Sequence, residues 1–137
     1  MFYNCIYISQ LKINIWFMWP LDKPFYTGVP DKLLVPWLKD KEYIVVTDEG
    51  EAVGLAAGYF LATKKRGTVF MSADGFCNAL NPLTSYVIPE GIEMNLVIST
   101  GRTESPHKEM TRILQPLIKL LKRDGKRLHI KIIKRKP

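Results

Sequence analysis

Hydrophobic positions along this chain follow two alternating patterns. Short runs rich in β-branched residues predict strands near 24–27, 43–47, 68–72, 94–99 and 128–133. Longer segments with apolar residues three or four positions apart predict helices near 32–39, 51–63, 77–87 and 105–123. Because the two kinds of segment alternate, the pattern predicts an α/β fold, a three-layer sandwich with a mostly parallel sheet flanked by helices. A chain of 137 residues has the size of one domain.

Two of these segments allow further predictions. The run 43–47 is short and β-branched, which is typical of a buried strand in a parallel sheet. Asp31 stands just before the segment 32–39 and is a suitable N-cap for it, since its carboxylate can accept hydrogen bonds from the free N–H groups of a helix start. Pro36 lies inside the same segment and is poorly compatible with one straight helix.

The positive charge of the chain is concentrated near its end. The net charge is +7, but residues 119–137 contain nine Lys or Arg and one acid, so the rest of the chain is close to neutral. Such an end is either an arm for nucleic acid or an anionic surface, or a solvated helix end followed by a chain terminus. The second interpretation is favoured because no aromatic residues alternate with the basic ones, and a nucleic-acid partner is therefore not expected.

The first 20 residues are apolar and aromatic, but they do not have the pattern of a membrane segment. They lack the basic start and the cleavage site of a signal peptide, and polar residues at positions 4, 10, 12 and 14 interrupt the stretch that a bilayer span needs. Contact with a membrane surface or a partner is the less favoured alternative. Cys5 and Cys77 lack the spacing of metal ligands, which predicts no metal site in this chain and a reducing, cytoplasmic location.

Polar loops follow four of the predicted strands, at 28–31, 48–51, 73–78 and 101–107. Parallel sheets bind their ligands at the carboxyl ends of the strands, so these loops are expected to form the site. Glu49, taken alone, has two interpretations: a solvated acid that suits the positive start of a helix, or a carboxylate of the site. Glu51 is interpreted as an acid of the helix terminus.

Several short motifs occur in these loops and in the helices after them. They are YTGVPD at 26–31 with LL at 33–34, DEGEAV at 48–53 with AAGY at 56–59 and LAT at 61–63, VFM at 69–71, a glycine at 75, and NALNPLTS at 78–85. In order and spacing they resemble the pyrimidine-binding domain of thiamine diphosphate enzymes over about residues 25–121. Within that family they look most like the phosphonopyruvate decarboxylases and the alpha subunits of the sulfopyruvate decarboxylases.

The resemblance implies a role for each matched position. Glu49 corresponds to the catalytic glutamate of the family, whose carboxyl hydrogen-bonds the aminopyrimidine ring of thiamine diphosphate. The implied cofactor-binding residues are Gly28, Val29, Pro30, Glu49, Gly75 and Asn78, and the implied substrate-binding residues are Asp31, Arg102 and His107. The implied reaction is decarboxylation of a small anionic 2-oxo acid to CO₂ and an aldehyde. Asn78 has the alternative role of bonding the local backbone.

The resemblance also implies a division of the chain and a partner. Residues 1–22 form a divergent N-terminal segment, 23–123 the pyrimidine-binding domain, and 124–137 the last strand and the basic tail. The chain lacks the Gly-Asp-Gly and Asn-Asn motif through which the family holds Mg²⁺ and diphosphate. A carboxy-lyase subunit that is inactive alone is therefore implied. It would share thiamine diphosphate with a diphosphate-binding beta subunit that holds Mg²⁺, within an oligomer.

One turn departs from the family and supports an alternative. Where the family typically has Ser-Gly-Leu-Gly-Asn, this chain has Asp-Gly-Phe-Cys-Asn at 74–78. An acid and a cysteine thus replace small residues beside the implied cofactor. The alternative is a non-catalytic remnant or interaction module that has the same fold.

Overall fold

The structure is a computed structural model that describes Pro20 and residues 22–101, 108–124 and 127–135. Strands and helices alternate along these residues. In chain order they are β1 (Tyr26–Gly28), α1 (Val35–Leu38), β2 (Ile44–Val45), α2 (Glu49–Thr63), β3 (Gly67–Ser72), α3 (Phe76–Pro82) with a π-helical turn at Leu83–Val87, β4 (Met94–Thr100), α4 (Lys108–Asp124) and β5 (Leu128–Lys134).

The five strands form one sheet in the order β2-β1-β3-β4-β5, and every neighbouring pair is parallel. The predicted α/β sandwich with a mostly parallel sheet is therefore confirmed. The connection after β1 leads to β2, at one end of the strand order. The connections after β2 lead in the opposite direction, to β3, β4 and then β5. Because crossovers between parallel strands are right-handed, this reversal places α1 on one face of the sheet and α2, α3 and α4 on the other.

The packing of the core follows this division. Alternate residues of a strand point to opposite faces. Val69 and Met71 of β3 belong to the large core cluster with the apolar residues of α2, α3 and α4, while Phe70 packs with Leu34 and Leu38 in a smaller cluster. The first face is thus covered by three helices, and the second has α1 and the turn before it as its described cover.

Two predicted elements differ from the structure. The run 43–47 forms a two-residue strand, β2, at the edge of the sheet. Among the described strands it pairs with β1 alone, and Val45 is 58% exposed. The prediction of a buried strand is wrong because β-branched composition records strand preference but not the position of a strand in the sheet.

The segment 32–39 is helical only from Val35 to Leu38, and its N-cap is Leu34. The N-cap prediction for Asp31 is therefore wrong for this helix. Pro36 lies in the first turn, where its missing N–H costs no hydrogen bond. This placement accounts for a helix that begins later than the apolar spacing predicts.

Other expectations fall partly outside the described residues. Residues 1–19 and 21 of the N-terminal segment are among them, and the proposed domain boundaries stay predictions. In the part of the chain that the structure describes, no helix is long and apolar enough to cross a membrane.

The packing of β4 in the core can be tested at Leu96, which is fully buried. Leu96→Ala is expected to lower the free energy of unfolding by about 3 kcal/mol, since it removes buried methyl groups and leaves a cavity. Urea denaturation followed by circular dichroism measures this change. Leu120→Ala makes the same substitution at a side chain of α4 that is 59% exposed, and it should stay within about 0.5 kcal/mol of the parent chain. Equal losses in the two variants would contradict the assigned core.

Candidate functional site

The candidate site lies where β1, β2 and β3 end and α2 begins. The start of α2 is fixed by two reciprocal side-chain contacts. Asp48 is the N-cap, and its Oδ1 accepts a hydrogen bond from the backbone N–H of Glu51 at 3.0 Å. Oε2 of Glu51 in turn accepts from the backbone N–H and the hydroxyl of Thr47, at 3.0 and 2.8 Å. Glu51 is thus an acid of the helix terminus, as predicted, and the cap fixes the backbone at Glu49, which directly follows Asp48.

Glu49 is the first residue of α2, and its side chain is buried, with 6% of the residue exposed. Its Oε2 accepts a hydrogen bond from Nδ2 of Asn78 in α3 at 2.9 Å. The interpretation of Glu49 as a solvated acid is therefore wrong. A buried carboxylate is costly unless it has hydrogen-bond partners, and here Asn78 and the positive end of α2 supply favourable interactions.

Gly75 allows this position of the carboxyl group. A Cβ atom at residue 75 would lie 1.8 Å from Oε1 of Glu49 and 2.1 Å from its carboxyl carbon. Only glycine leaves space there, so the side chain of Glu49 passes directly over the backbone of the turn between β3 and α3. Glu49, Gly75 and Asn78, which the sequence predicted as site residues, are thereby brought into one contact group.

The first predicted loop is held against β3. A Cβ atom at Gly28 would lie 1.9 Å from the carbonyl oxygen of Phe70, so glycine is required for the close pairing of β1 with β3. The backbone N–H of Val29 donates to the same oxygen at 3.2 Å. Val29 is half-buried and Pro30 is exposed. Their place at the carboxyl edge is observed, and their predicted contact with a cofactor stays a prediction.

Asp31 is 9% exposed and links this loop to the end of β4. The hydroxyl of Ser99 donates a hydrogen bond to Oδ2 of Asp31 at 2.6 Å. Sequence reasoning did not single out Ser99. The polar pair Ser99 and Thr100, which directly follows the apolar run 96–98 at the end of β4, was the signal that could have identified it.

A small polar cavity adjoins this pair. Its volume is about 10 Å³, which is close to the space that one water molecule needs. Thr100 lines it, and Oγ1 of Thr100 is buried without a hydrogen-bond partner among the described residues. The other polar residues that line it are Asp31, Ser72, Asp74, Ser99 and Thr111.

Arg102 and His107 lie outside the described residues. Asp74 is half-buried, and Cys77 is exposed, with its Sγ 3.6 Å from Sδ of Met110. Among the described residues, no group of three or more His, Cys, Asp or Glu side chains could hold a metal ion.

The chemistry available at this edge is that of one positioned carboxyl group. One oxygen of Glu49 is held by Asn78, and the other lies against the backbone of Gly75. A carboxyl group in this setting can exchange a proton or a hydrogen bond with a ligand atom that comes within about 3 Å. Its place at the carboxyl edge of a parallel sheet is where such folds bind ligands.

A comparison with known proteins found a relative of part of this chain. No family model matches the chain. Phosphonopyruvate decarboxylase from Streptomyces hygroscopicus is 36% identical over 88 residues, and the aligned region covers 60% of this chain and 21% of that enzyme. The chain thus corresponds to about a fifth of the length of this relative. The similarity supports a relationship between this chain and a region of that enzyme.

The contact between Gly75 and Glu49 can be tested by stability measurements. Gly75→Ala is expected to lower the free energy of unfolding by about 2 kcal/mol, because the added methyl group overlaps the carboxyl group of Glu49. Gly58→Ala in α2 is the matched control. No atom lies within 4 Å of its added Cβ, and alanine should stabilise the helix by about 0.5 to 1 kcal/mol.

A double-mutant cycle separates this contact from a general effect on the turn. In the Glu49→Ala background the cost of Gly75→Ala should fall, since the overlapping group is gone. Urea denaturation of all four chains gives the coupling energy. If Gly75→Ala lowers the free energy of unfolding equally in both backgrounds, the proposed contact is contradicted.

Proposed function

We propose that this chain is the pyrimidine-binding half of a thiamine diphosphate-dependent 2-oxo acid decarboxylase, of the phosphonopyruvate or sulfopyruvate type. The observation that carries the proposal is the buried carboxyl group of Glu49 at the carboxyl edge of the sheet, held by Asn78 and lying against Gly75. The similarity to phosphonopyruvate decarboxylase supports it independently of this geometry.

The residues at the carboxyl ends of the strands fit the aminopyrimidine end of thiamine diphosphate. A carboxyl group can hydrogen-bond a ring nitrogen of an aminopyrimidine, and the turn at Gly75 carries no side chain that would block the approach to Glu49. In this proposal Glu49 holds the ring and a proton at that nitrogen. Asn78 orients the carboxyl group through its bond to Oε2, and Gly28, Val29 and Pro30 border the ring from the loop after β1.

Bound thiamine diphosphate supplies the carbanion chemistry by which 2-oxo acids lose CO₂. The contribution of this chain is the positioning of one carboxyl group and the exclusion of water by the apolar core beneath it. Arg102 and His107 are proposed to bind the anionic group of the substrate, because arginine and histidine both suit such groups. Asp31 is proposed to border the substrate while its bond to Ser99 fixes the loop.

The proposal includes a second chain. Diphosphate is bound through a metal with hard oxygen ligands, and the motif that supplies them in the family is absent from this sequence. A beta subunit that holds Mg²⁺ and the diphosphate would complete the site, and the assembly would be an oligomer.

The test is co-expression with chains from the same genome that carry the diphosphate-binding motif. The assembly is expected to release CO₂ from 3-phosphonopyruvate or 3-sulfopyruvate only when thiamine diphosphate and Mg²⁺ are present. Glu49→Gln should lower kcat by at least about 100-fold, because an amide cannot hold the proton at the ring nitrogen. A loss of this size is typical when an acid–base group is removed. Co-purification of the two chains should be unchanged.

Asp48→Asn is the matched control for this variant. It removes the same charge one residue earlier, at an exposed N-cap position where asparagine is also an efficient cap. Activity within about twofold of the parent assembly is expected. Turnover that survives Glu49→Gln, or that falls equally in both variants, would exclude the assigned role of Glu49.

A second candidate function is supported by Asp74 and Cys77, which flank the implied cofactor turn and depart from the family. A non-catalytic module with the same fold would co-purify with its partner. It would release no CO₂ from any of these acids, and Glu49→Gln would then have no effect on any measured property except stability. The co-expression experiment distinguishes the two functions directly.

A further inference from the structure

A row of polar side chains crosses the sheet on the face that carries α1. Tyr26 of β1 pairs in register with Thr68 of β3, Thr68 with Asn95 of β4, and Asn95 with His129 of β5. In parallel strands, partners in register point to the same face, so the four side chains lie side by side across four strands. We refer to these four residues as the polar row.

The polar row breaks the pattern expected of such a sheet. Strands of parallel sheets are generally apolar on both faces, because helices cover both. Two residues further along β3 and β4, Phe70 and Val97 follow that rule and are buried with Leu34 and Leu38. On β3 and β4 the carboxyl half of this face is thus apolar and covered, whereas the amino half is polar.

The polar row forms part of a groove with a volume of about 540 Å³. Trp37, Lys122 and Lys131 line the same groove. Small-molecule sites usually have volumes of about 300 to 1,000 Å³ and combine apolar or aromatic walls with a few polar groups. The size and the composition of this groove agree with that description.

The charge of the groove is positive. Lys122 and Lys131 are exposed lysines, His129 is exposed beside them, and no carboxylate is among the described residues that line the groove. An anion placed here would gain charge-assisted hydrogen bonds. A phosphate group is well suited, since lysine binds phosphate as a compact point charge.

Aromatic and amide groups lie at the other side of the groove. Tyr26 and Trp37 are half-buried and in edge contact, with ring centroids 5.9 Å apart. Nδ2 of Asn95 donates to Oγ1 of Thr68 at 3.2 Å, which leaves the carbonyl oxygen of this amide available to accept a hydrogen bond. An aromatic ring with an exocyclic amino group would find both a stacking surface and an acceptor here.

We propose that this groove binds a phosphate monoester that carries an aromatic heterocycle, with a nucleoside monophosphate as the ligand of matching size. The phosphate lies at Lys122, Lys131 and His129, and the ring lies against Tyr26 and Trp37 with its edge at Asn95. The site is separate from Glu49. Thr68 of the polar row precedes the carboxyl end of β3 by about 13 Å of strand. The proposal does not depend on the decarboxylase function.

The test is titration of the full chain with AMP, GMP, CMP and UMP, followed by calorimetry and by the NMR signal of the Asn95 side-chain amide. At least one nucleotide is expected to bind with a dissociation constant about tenfold or more below those of its nucleoside and of ribose 5-phosphate, which lack the phosphate and the ring respectively. Affinity should fall as salt is raised from about 50 mM to about 500 mM.

Variants locate the site in the groove. Lys122→Gln and Lys131→Gln should each weaken binding about tenfold, through loss of one charge-assisted contact. Both lysines are exposed, so circular dichroism melts should match those of the parent chain. Lys108→Gln removes an equal charge from an exposed position at the start of α4 and should leave the affinity unchanged.

Each other outcome overturns the proposal. One such outcome is the absence of saturable binding for all four nucleotides. Another is an affinity for inorganic phosphate alone that equals the affinity for the best nucleotide. A third is a loss of affinity in Lys108→Gln as large as the losses in Lys122→Gln and Lys131→Gln. Preference for an oligonucleotide over the best mononucleotide would assign the groove to nucleic acid instead. Binding seen only after deletion of residues 1–19 would mean that this segment of the chain occupies the groove.

Discussion

Right-handed connection of parallel strands is the constraint on which this structure depends. The chain reverses direction once, between β2 and α2, and each crossover must keep the same hand. One reversal therefore sends α1 to one face and three helices to the other. The same constraint brings the ends of β1, β2 and β3 to one edge, where Glu49, Gly75 and Asn78 meet although 29 positions separate the first from the last.

The geometry at Glu49 arises from two short-range effects that act together. Reciprocal capping by Asp48 and Glu51 fixes the first turn of α2, and the absent side chain at Gly75 provides the space into which the carboxyl group extends. Neither effect is sufficient alone. Without the cap the side chain would have no defined direction, and with any Cβ at position 75 the direction would be blocked.

The basic end of the sequence has a different meaning once it is folded. Residues 119–137 carry nine Lys or Arg, and much of this segment forms the end of α4 and the strand β5. Parallel pairing with β4 places His129 and Lys131 beside Asn95 and Val97 on one face of the sheet. Positive charge thus gathers on the β5 side of that face, whereas the buried carboxyl groups of Glu49 and Asp31 lie at the carboxyl edge.

Local sequence determined the order and type of most elements, because apolar periodicity and caps act within a few residues. The resemblance of its loop motifs to a known family also pointed to Glu49, Gly75 and Asn78. Only the tertiary structure decided that β2 is an edge strand, that Glu49 is buried, and that Ser99 binds Asp31 across 68 positions. The polar row likewise depends on strand register. These features are set by pairing between distant segments, and residue patterns within a single segment carry no information about which strand lies beside it.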